Sequence, residues 1–264
     1  MSDVVVTCQG VAVGYDGPVL EDLDLEIRRG EIVALLGGSG SGKSTLLRAL
    51  TGLQAPLAGE VTILGESLYA LDVDARDALL RRTGTAFQHD ALFGSMTLGD
   101  NIALPLREQD HLPGAVPAAV IAEMVRMRLA MVGLPGLEDR MPTALSGGQR
   151  KRAALARASI LDPVVMFCDE PSAGLDPAVA ATIDETLRQL RTALGVTLVV
   201  VTHELESIRA IADRAVMLGR GGILAAGTIA ELEASEIPEV FGFFHRVAHR
   251  PARASALAQL SRTR

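Results

Sequence analysis

The chain has 264 residues, of which 48% are hydrophobic and 22% charged, so a disordered chain is excluded and a large core is possible. A net charge of −7 and only 3% aromatic residues exclude a protein that grips nucleic acid through bulk positive charge or base stacking. Two cysteines cannot build a disulfide framework, and no apolar run reaches the roughly 18 residues of a membrane-spanning helix.

The first predicted elements form a small, mostly antiparallel sheet. Short apolar or alternating stretches at residues 4–6, 11–13 and 23–27 are separated by glycine-containing turns, as expected for strands. Tyr15 lies in one of these turns. It could stack on a nucleotide base, but a tyrosine at a turn is more often a half-buried packing residue, and the sequence leaves both interpretations open.

A glycine-rich segment between a predicted strand and a predicted helix carries the strongest motif. Residues 32–36 are a continuous apolar run, and leucines at helical spacing follow within residues 46–50. Glycines allow successive backbone N–H groups to face one anion, Lys43 can reach the β- and γ-phosphates of a nucleotide, and the Ser44 hydroxyl can bind Mg²⁺. The residues that match G-x-x-x-x-G-K-[ST], the phosphate-binding loop, are Gly37, Gly38, Ser39, Gly40, Ser41, Gly42, Lys43, Ser44 and Thr45.

The middle of the chain alternates between short strands and helices. Residues 59–65 predict a strand, and residues 72–82 and 114–133 predict helices, the second of which is followed by Pro135. Gln88 directly follows another apolar stretch. A glutamine at a strand end usually faces solvent, so its meaning depends on its neighbours.

The sequence Leu-Ser-Gly-Gly-Gln at residues 145–149 begins another predicted helix. Ser146 is a favourable N-terminal cap, and the glycines permit close backbone approach. The basic residues 150–152 that follow are most simply interpreted as a solvated helix face. These residues alone are also compatible with an ordinary capped helix.

Two further apolar strands end in polar side chains. Residues 164–168 lead into Asp169 and Glu170, and residues 196–202 lead into His203. Parallel strands of an α/β sheet place the residues that follow them at the edge where ligands bind, so we expect the two acids there. A lone histidine at a strand end would normally be structural.

A final hairpin is predicted over residues 215–226, after which the chain changes in character. Phenylalanines cluster within residues 241–244, and no acidic residue follows Glu239 although arginines are frequent. We therefore predict one domain over residues 1–245 and a basic tail over residues 246–264. The tail is either a solvated end or a docking arm for a partner or for anionic lipid head groups.

The order of these motifs resembles that of ABC transporter ATPases, and the resemblance covers about residues 4–230. A signature sequence together with both nucleotide-binding motifs in this order is highly specific. The motifs in chain order are the Walker A loop at residues 37–45, Gln88, the signature at residues 145–149, the Walker B acids at residues 169–170, a turn at residues 172–176 and His203.

This resemblance implies an α/β P-loop NTPase fold with a RecA-like core, an antiparallel β-subdomain and an α-helical subdomain inserted over about residues 89–160. It also implies an ATPase that uses ATP and Mg²⁺. Glu170 is then the general base that activates water for attack on the γ-phosphorus, with help from Gln88 and His203. The residues that would hold Mg²⁺ are Ser44, Gln88 and Asp169.

The resemblance further implies a homodimer in which two copies work head-to-tail. Each ATP would lie between the Walker A loop of one copy and the signature of the other. In that arrangement Tyr15 stacks on the adenine and Asp176 couples the two sites. The signature residues that would bind the nucleotide from the opposite copy are Ser146, Gly147, Gly148 and Gln149.

Within the ABC ATPases the chain resembles the Mla/Mkl family, the ATPase subunits of MCE-type phospholipid transporters. This implies a peripheral protein on the cytoplasmic side of a bacterial inner membrane that drives phospholipid transport between the inner and outer membranes. The implied partners are a membrane permease that contacts about residues 88–108, an MCE substrate-binding protein and, in some systems, a STAS-domain subunit. The resemblance is carried by residues 87–98, 100–108, 152–158 and 193–197.

Two alternatives remain open at this point. The cassette could serve another ABC system, such as lipoprotein release or small-solute import, although residues 87–108 argue against this. A non-transport ABC protein that acts on DNA or ribosomes is more remote, because such proteins carry a long coiled-coil insertion or two cassettes in one chain. Here one cassette is present and the segment between Gln88 and Leu145 is short, so no nucleic-acid partner is expected.

Overall fold

The computed structural model describes residues 3–88, 90–108 and 116–246. Over these ranges the strands are β1 (Val4–Gly14), β2 (Pro18–Arg28), β3 (Ile32–Gly37), β4 (Ala58–Ile63), β5 (Glu66–Ser67), β6 (Thr83–Ala86), β7 (Val165–Asp169), β8 (Thr197–Val201), β9 (Arg214–Leu218) and β10 (Ile223–Thr228). The helices are α1 (Lys43–Leu50), α2 (Val73–Leu80), α3 (Leu98–Arg107), α4 (Ala118–Met131), α5 (Gly147–Ser159), α6 (Pro177–Leu194), α7 (Leu205–Ile211), α8 (Ile229–Glu233) and α9 (Pro238–Phe244).

The main sheet has the strand order β10-β9-β3-β8-β7-β6. Strands β9, β3, β8, β7 and β6 run parallel, and the hairpin strand β10 is antiparallel. Every residue of β3 and β8 is buried, which matches their nearly continuous apolar sequences, since parallel strands are covered on both faces. The predicted α/β core and its final hairpin are confirmed.

The second sheet has the order β2-β1-β4-β5 and is antiparallel throughout. It forms the predicted β-subdomain, with one correction. The short strands predicted at residues 4–6 and 11–13 are a single strand, β1, whose register shifts around Gly10. The Gly10 N–H donates to Asp24 Oδ1 at 2.9 Å, and an irregularity of this kind lets a strand continue past a residue that its sequence marks as a turn.

Helices α3, α4 and α5 pack around an apolar cluster of their own, apart from the clusters under the two sheets. Helix α5 also belongs to a second core. Its Ala153 and Ala156 lie in the helical cluster, whereas Leu155 packs in a cluster with Met166 of β7. Helix α5 therefore joins the helical layer to the main sheet, while the bounds of a helical subdomain at about residues 89–160 stay a prediction.

Helix α9 holds the whole phenylalanine cluster of residues 241–244. Phe244 is 2% exposed and lies in a cluster with Leu36 of β3, so it is part of the main core. Phe241 is exposed on the same helix. The predicted basic tail lies outside the described residues from residue 247 to residue 264.

Two further expectations concern membranes and thiols. In the part of the chain that the structure describes, no helix is long and apolar enough to cross a membrane. Cys8 and Cys168 are buried free thiols, as predicted for Cys168. Burial raises the pKa of each thiol to about 12, so both stay protonated and unreactive at neutral pH.

Replacing Gly84 of β6 by alanine should destabilise the fold. A Cβ atom on Gly84 would come within 2.1 Å of the carbonyl oxygen of Ala158 in α5, and because that oxygen belongs to the backbone no side-chain movement can relieve the clash. We expect the free energy of unfolding, measured by urea denaturation, to fall by about 1–3 kcal/mol. Gly94→Ala is the control, because nothing lies within 4 Å of its Cβ position; equal losses would contradict this close packing.

Candidate nucleotide-binding site

The residues predicted to act on phosphate follow the carboxyl ends of four neighbouring parallel strands. In sheet order, residues 37–45 begin at the end of β3, His203 follows β8, Asp169 and Glu170 lie at the end of β7, and Gln88 follows β6. Parallel strands all end at the same edge of the sheet. The fold therefore gathers these residues at the edge where α/β proteins bind ligands.

The phosphate loop forms a cradle between β3 and α1. Gly42 caps α1 with a φ of +92°, a conformation that L side chains rarely adopt, and a Cβ atom there would lie 2.7 Å from the side chain of Leu20. A cavity of about 280 Å³ over the loop is lined by Val19 and residues 40–45. Because the cap is glycine, no capping side chain competes for the first N–H groups of α1, which together with the helix dipole favour an anion.

Lys43 is the first residue of α1, and its ammonium is held inside the loop. Nζ donates to the carbonyl oxygens of Gly37 at 2.8 Å and Gly38 at 2.9 Å. Burial lowers the pKa of Lys43, while the carboxylates of Glu170 and Asp169 act in the opposite direction. Lys43 thus lies in the field of both acids and is placed to compensate phosphate charge.

Glu170 is a mostly buried carboxylate on a strained backbone. Its φ of +48° lies in the left-handed region, which is uncommon outside glycine and often marks functional sites. Oε1 lies 2.8 Å from His203 Nδ1, and because an ionised carboxylate only accepts, the Nδ1–H donates. Oε2 is buried without a hydrogen-bond partner among the described residues. One oxygen is therefore oriented by the histidine, and the other remains able to accept a proton.

The oxygen atoms at this edge suit Mg²⁺. The Asp169 carboxylate ends β7, and the Ser44 hydroxyl lies in the first turn of α1, which packs on β7. Both are hard oxygen donors, and the Gln88 side chain is exposed at the same edge. Burial, and then the charge of Glu170, raise the pKa of Asp169, so two negative charges converge on this point. Within the described ranges no group of three His, Cys, Asp or Glu side chains is arranged to hold a metal ion.

The signature residues begin α5 and serve there as a helix cap. Ser146 Oγ accepts from the Gln149 N–H at 3.3 Å, and Gln149 Oε1 accepts from the Ser146 N–H at 2.9 Å, which together make a capping box. Gly147 and Gly148 are the first two helical residues. None of the four lines the cavity over the phosphate loop.

Asp176 and Tyr15 have local partners. Asp176 caps α6 by accepting a hydrogen bond from the Val179 N–H at 3.1 Å. Tyr15 is 60% exposed, and its hydroxyl accepts a hydrogen bond from Arg48 of α1, so the ring lies at the surface beside the helix that follows the phosphate loop. The roles of both residues toward a nucleotide stay predictions.

Sequence reasoning missed Lys151, which it assigned to a solvated face with the rest of residues 150–152. That assignment is wrong for Lys151, which is 9% exposed. Its Nζ donates to the carbonyl oxygens of Gln88 at 2.7 Å and Glu170 at 3.3 Å. A signal was present in the composition: among 25 lysines and arginines only Lys43 and Lys151 are lysines, and both lie at this site.

Sequence comparisons agree with this geometry. A family model described as ABC transporter matches residues 20–173. The chain is 40% identical to the methionine import ATP-binding protein MetN of Ralstonia nicotianae, over 84% of the chain and 62% of the relative. It is 42% identical to the sulfate/thiosulfate import ATP-binding protein CysA 1 of Agrobacterium fabrum, over 90% and 68%. It is 40% identical to the intermembrane phospholipid transport system ATP-binding protein MlaF of Escherichia coli, over 88% and 85%.

Solved structures place the fold in the same class. A dimeric post-hydrolysis state of the ATP-binding cassette MJ0796 bound to ADP and Pi has a TM-score of 0.77 at 31% identity, covering 85% of this chain and 98% of that one. The cassette cbiO1 of Clostridium perfringens, part of the ABC transporter complex cbiONQ, has a TM-score of 0.79 at 27% identity, covering 98% and 100%. The fold and the loop thus define an ATP-hydrolysing P-loop cassette. The chain belongs to the ABC transporter ATP-binding family.

Replacing Ser146 by alanine should separate its capping role from its predicted role toward the nucleotide. Loss of the capping box costs about 1 kcal/mol of unfolding free energy. Thr228 makes the same type of capping box with Glu231 at the start of α8, so Thr228→Ala should show a similar cost in urea denaturation. We expect ATPase activity to fall in Ser146→Ala and to stay at the wild-type level in Thr228→Ala. Equal activity in the two variants would argue that Ser146 is only a cap.

Proposed function

We propose that this cassette drives phospholipid transport between the inner and outer membranes of a bacterium, as the ATPase of an MCE/Mla-type complex that maintains outer-membrane lipid asymmetry. The similarity of residues 87–108 to the Mla/Mkl ATPases carries this proposal. The segment starts beside the phosphate site at Gln88 and is the implied contact with the permease, so it bears on which transporter the cassette serves. The 40% identity to MlaF over 88% of the chain supports it.

A second candidate is the import of a small solute. The chain is 40% identical to MetN and 42% identical to CysA 1, which are named for methionine and for sulfate or thiosulfate import. These identities are as high as the identity to MlaF, so overall identity favours the two candidates equally. The two candidates share the same ATPase chemistry. They differ in the membrane partner and the cargo.

We propose that the permease docks on residues 88–108 and the groove beside them. Asn101 is buried and fixes the backbone of Phe93, since its Oδ1 accepts from the Phe93 N–H at 2.7 Å and its Nδ2 donates to the Phe93 carbonyl at 3.1 Å. The exposed Phe93 ring therefore stands on a rigid turn. A groove of about 580 Å³ between α3 and α4 offers charges of both signs from Asp100, Arg107, Arg126 and Glu138.

Hydrolysis proceeds by in-line attack of water on the γ-phosphorus, and Glu170 accepts the proton from that water. His203 orients the carboxylate through its bond to Oε1, which leaves Oε2 for the water. A positioned base contributes roughly 10²–10⁴-fold to the rate. Mg²⁺ neutralises charge on the phosphates when bound. The residues that would hold it are Ser44, Gln88 and Asp169.

Two copies of the cassette bind ATP head-to-tail. The signature of this chain does not line its own loop cavity, and the similar cassette MJ0796 is a dimer with ADP and Pi. ATP bridges the copies, and loss of the γ-phosphate lets them separate. Residues 146–149 and Asp176 of one copy then complete the site of the other, where Tyr15 stacks on the adenine.

The proposed assembly lies on the cytoplasmic side of the inner membrane, where the cassette is peripheral and rests against its permease. An MCE substrate-binding protein and, in some systems, a STAS-domain subunit complete it. No nucleic acid is a partner in this proposal, in keeping with the net charge of −7.

Glu170→Gln should retain ATP binding and lose turnover. Glutamine keeps the size of the side chain and an oxygen that accepts from His203, but its amide cannot take the proton from water. We expect hydrolysis to be slower by roughly 100-fold or more, and a larger dimer fraction in ATP by size-exclusion chromatography. Glu185→Gln, at an exposed acid of α6, is the control; wild-type turnover in Glu170→Gln would remove Glu170 from the role of base.

The cargo is tested by capturing tagged Glu170→Gln protein from its own membranes in ATP and identifying the proteins and lipids that come with it. The proposal expects a permease, an MCE protein and phospholipid. A permease with a solute-binding protein and no MCE protein would instead establish the second candidate. Recovery of no membrane protein would contradict both.

A further inference from the structure

One buried ammonium group joins two strand ends at the centre of the site. Lys151 lies in the second turn of α5, and its Nζ donates to the carbonyl oxygens of Gln88 at 2.7 Å and Glu170 at 3.3 Å. Lysine is almost never this deeply buried unless its charge is satisfied. The helix itself does not require the contact, because neither carbonyl belongs to α5.

The pairing of β6 with β7 explains how one side chain reaches both carbonyl groups. Ala86 of β6 pairs with Cys168 of β7 in a parallel register. Gln88 and Glu170 each follow two residues later, so the two chain segments leave the sheet side by side. The ammonium of Lys151 lies across this gap and binds one carbonyl from each segment.

The backbone at these strand ends adopts conformations that need support. Glu170, Asp90 and Ala91 have φ values of +48°, +61° and +52°, in the left-handed region that residues with a Cβ atom rarely occupy. Within its own turn the Glu170 carbonyl accepts one hydrogen bond, from the Ala173 N–H at 3.2 Å. Lys151 adds a bond that comes from outside the turn.

We propose that Lys151 is a positioning residue for ATP hydrolysis, which fixes the backbone of Gln88 relative to that of Glu170. This inference rests on the proposed function, in which Glu170 is the base. The ammonium acts through the backbone and not on the reacting atoms. Misplacement by about 1 Å can cost roughly 100-fold in rate, so the separation of these two segments matters for turnover.

The location of Lys151 gives the contact a second consequence. The helix that carries it begins with the signature at residues 146–149, which in the proposed dimer binds the nucleotide of the other copy. A displacement of α5 is therefore transmitted through Nζ to the base of this chain's own site. The same displacement reaches Gln88, where the proposed permease contact begins.

An ion pair with Asp90 is the competing explanation for the burial of Lys151. Nζ lies 3.6 Å from Asp90 Oδ1, and Arg150 Nε lies 3.5 Å from Oδ2 of the same carboxylate. Both distances are longer than those from Nζ to the two carbonyl oxygens, which are 2.7 Å for Gln88 and 3.3 Å for Glu170. The carbonyl bonds thus position the ammonium, and Asp90→Asn removes the charge pair without removing them.

The experiment compares variants of the full chain by kcat and KM for ATP hydrolysis and by Tm. Lys151→Met leaves an unbranched side chain one atom shorter than lysine and removes every donor. Lys151→Gln places neutral donors on a side chain of the same reach as methionine. Arg152→Met is the matched control, because Arg152 is the next residue of α5 and donates to the carbonyl oxygens of Val132 and Gly133, away from the site.

We expect Lys151→Met to lower kcat by about tenfold or more, with KM and Tm close to those of Arg152→Met. Lys151→Gln should fall between Lys151→Met and the wild type, and Asp90→Asn should lower kcat less than Lys151→Met does. A kcat for Lys151→Met equal to that of Arg152→Met overturns the proposal. A fall in kcat that comes with a rise in KM and a fall in Tm overturns it as well. If the methionine variant does not fold, wild-type kcat in Lys151→Gln has the same effect.

Turnover of the wild type and of Glu170→Gln tests the proposed function independently of the Lys151 variants. Turnover by the wild type and its loss in Glu170→Gln establish the base whatever the Lys151 variants do. If Glu170→Gln turns over like the wild type, the assignment of Glu170 fails first, and the inference about Lys151 fails with it.

Discussion

The parallel pairing of β3, β8, β7 and β6 is the constraint on which the whole site depends. Asp169 lies opposite Val201 and Cys168 opposite Ala86, so the residues that follow these strands reach one edge of the sheet at the same height. Slippage by one residue would turn each side chain to the opposite face. Strands β3, β8 and β7 are apolar and almost wholly buried, so close packing on both of their faces resists such a slip.

The same edge concentrates negative charge, and the chain balances it with basic residues from two helices. Arg48 and Lys43 come from α1 and Lys151 from α5, and all three lower the pKa of Asp169 against the effect of burial. The acids in turn raise the pKa of Lys43. The site is thus charge-compensated from two sides by different helices, so its electrostatics depend on the helical layer as well as on the sheet.

Much of the fold could be predicted because its signals are local. The loop at residues 37–45 is recognisable from spacing alone, and the core strands are short apolar runs followed by polar residues. What escaped prediction depends on distant contacts. Lys151 looks like a solvated residue until Gln88, 63 positions earlier, is known to accept its hydrogen bond. Phe244 likewise joins the core only because α9 returns to β3.

Helix α5 rests on the helical cluster through alanines and on the sheet cluster through a leucine. Alanine side chains do not interlock deeply with a neighbour, so a helix that contacts its surroundings through them can slide or roll with little loss of packing. The leucine holds the opposite side in place. Helix α5 is therefore held more firmly by the sheet than by the helical layer. We expect a small rotation of the helical layer to tilt the signature end, and Lys151 to pass that tilt to the strand ends through its bonds to Gln88 and Glu170.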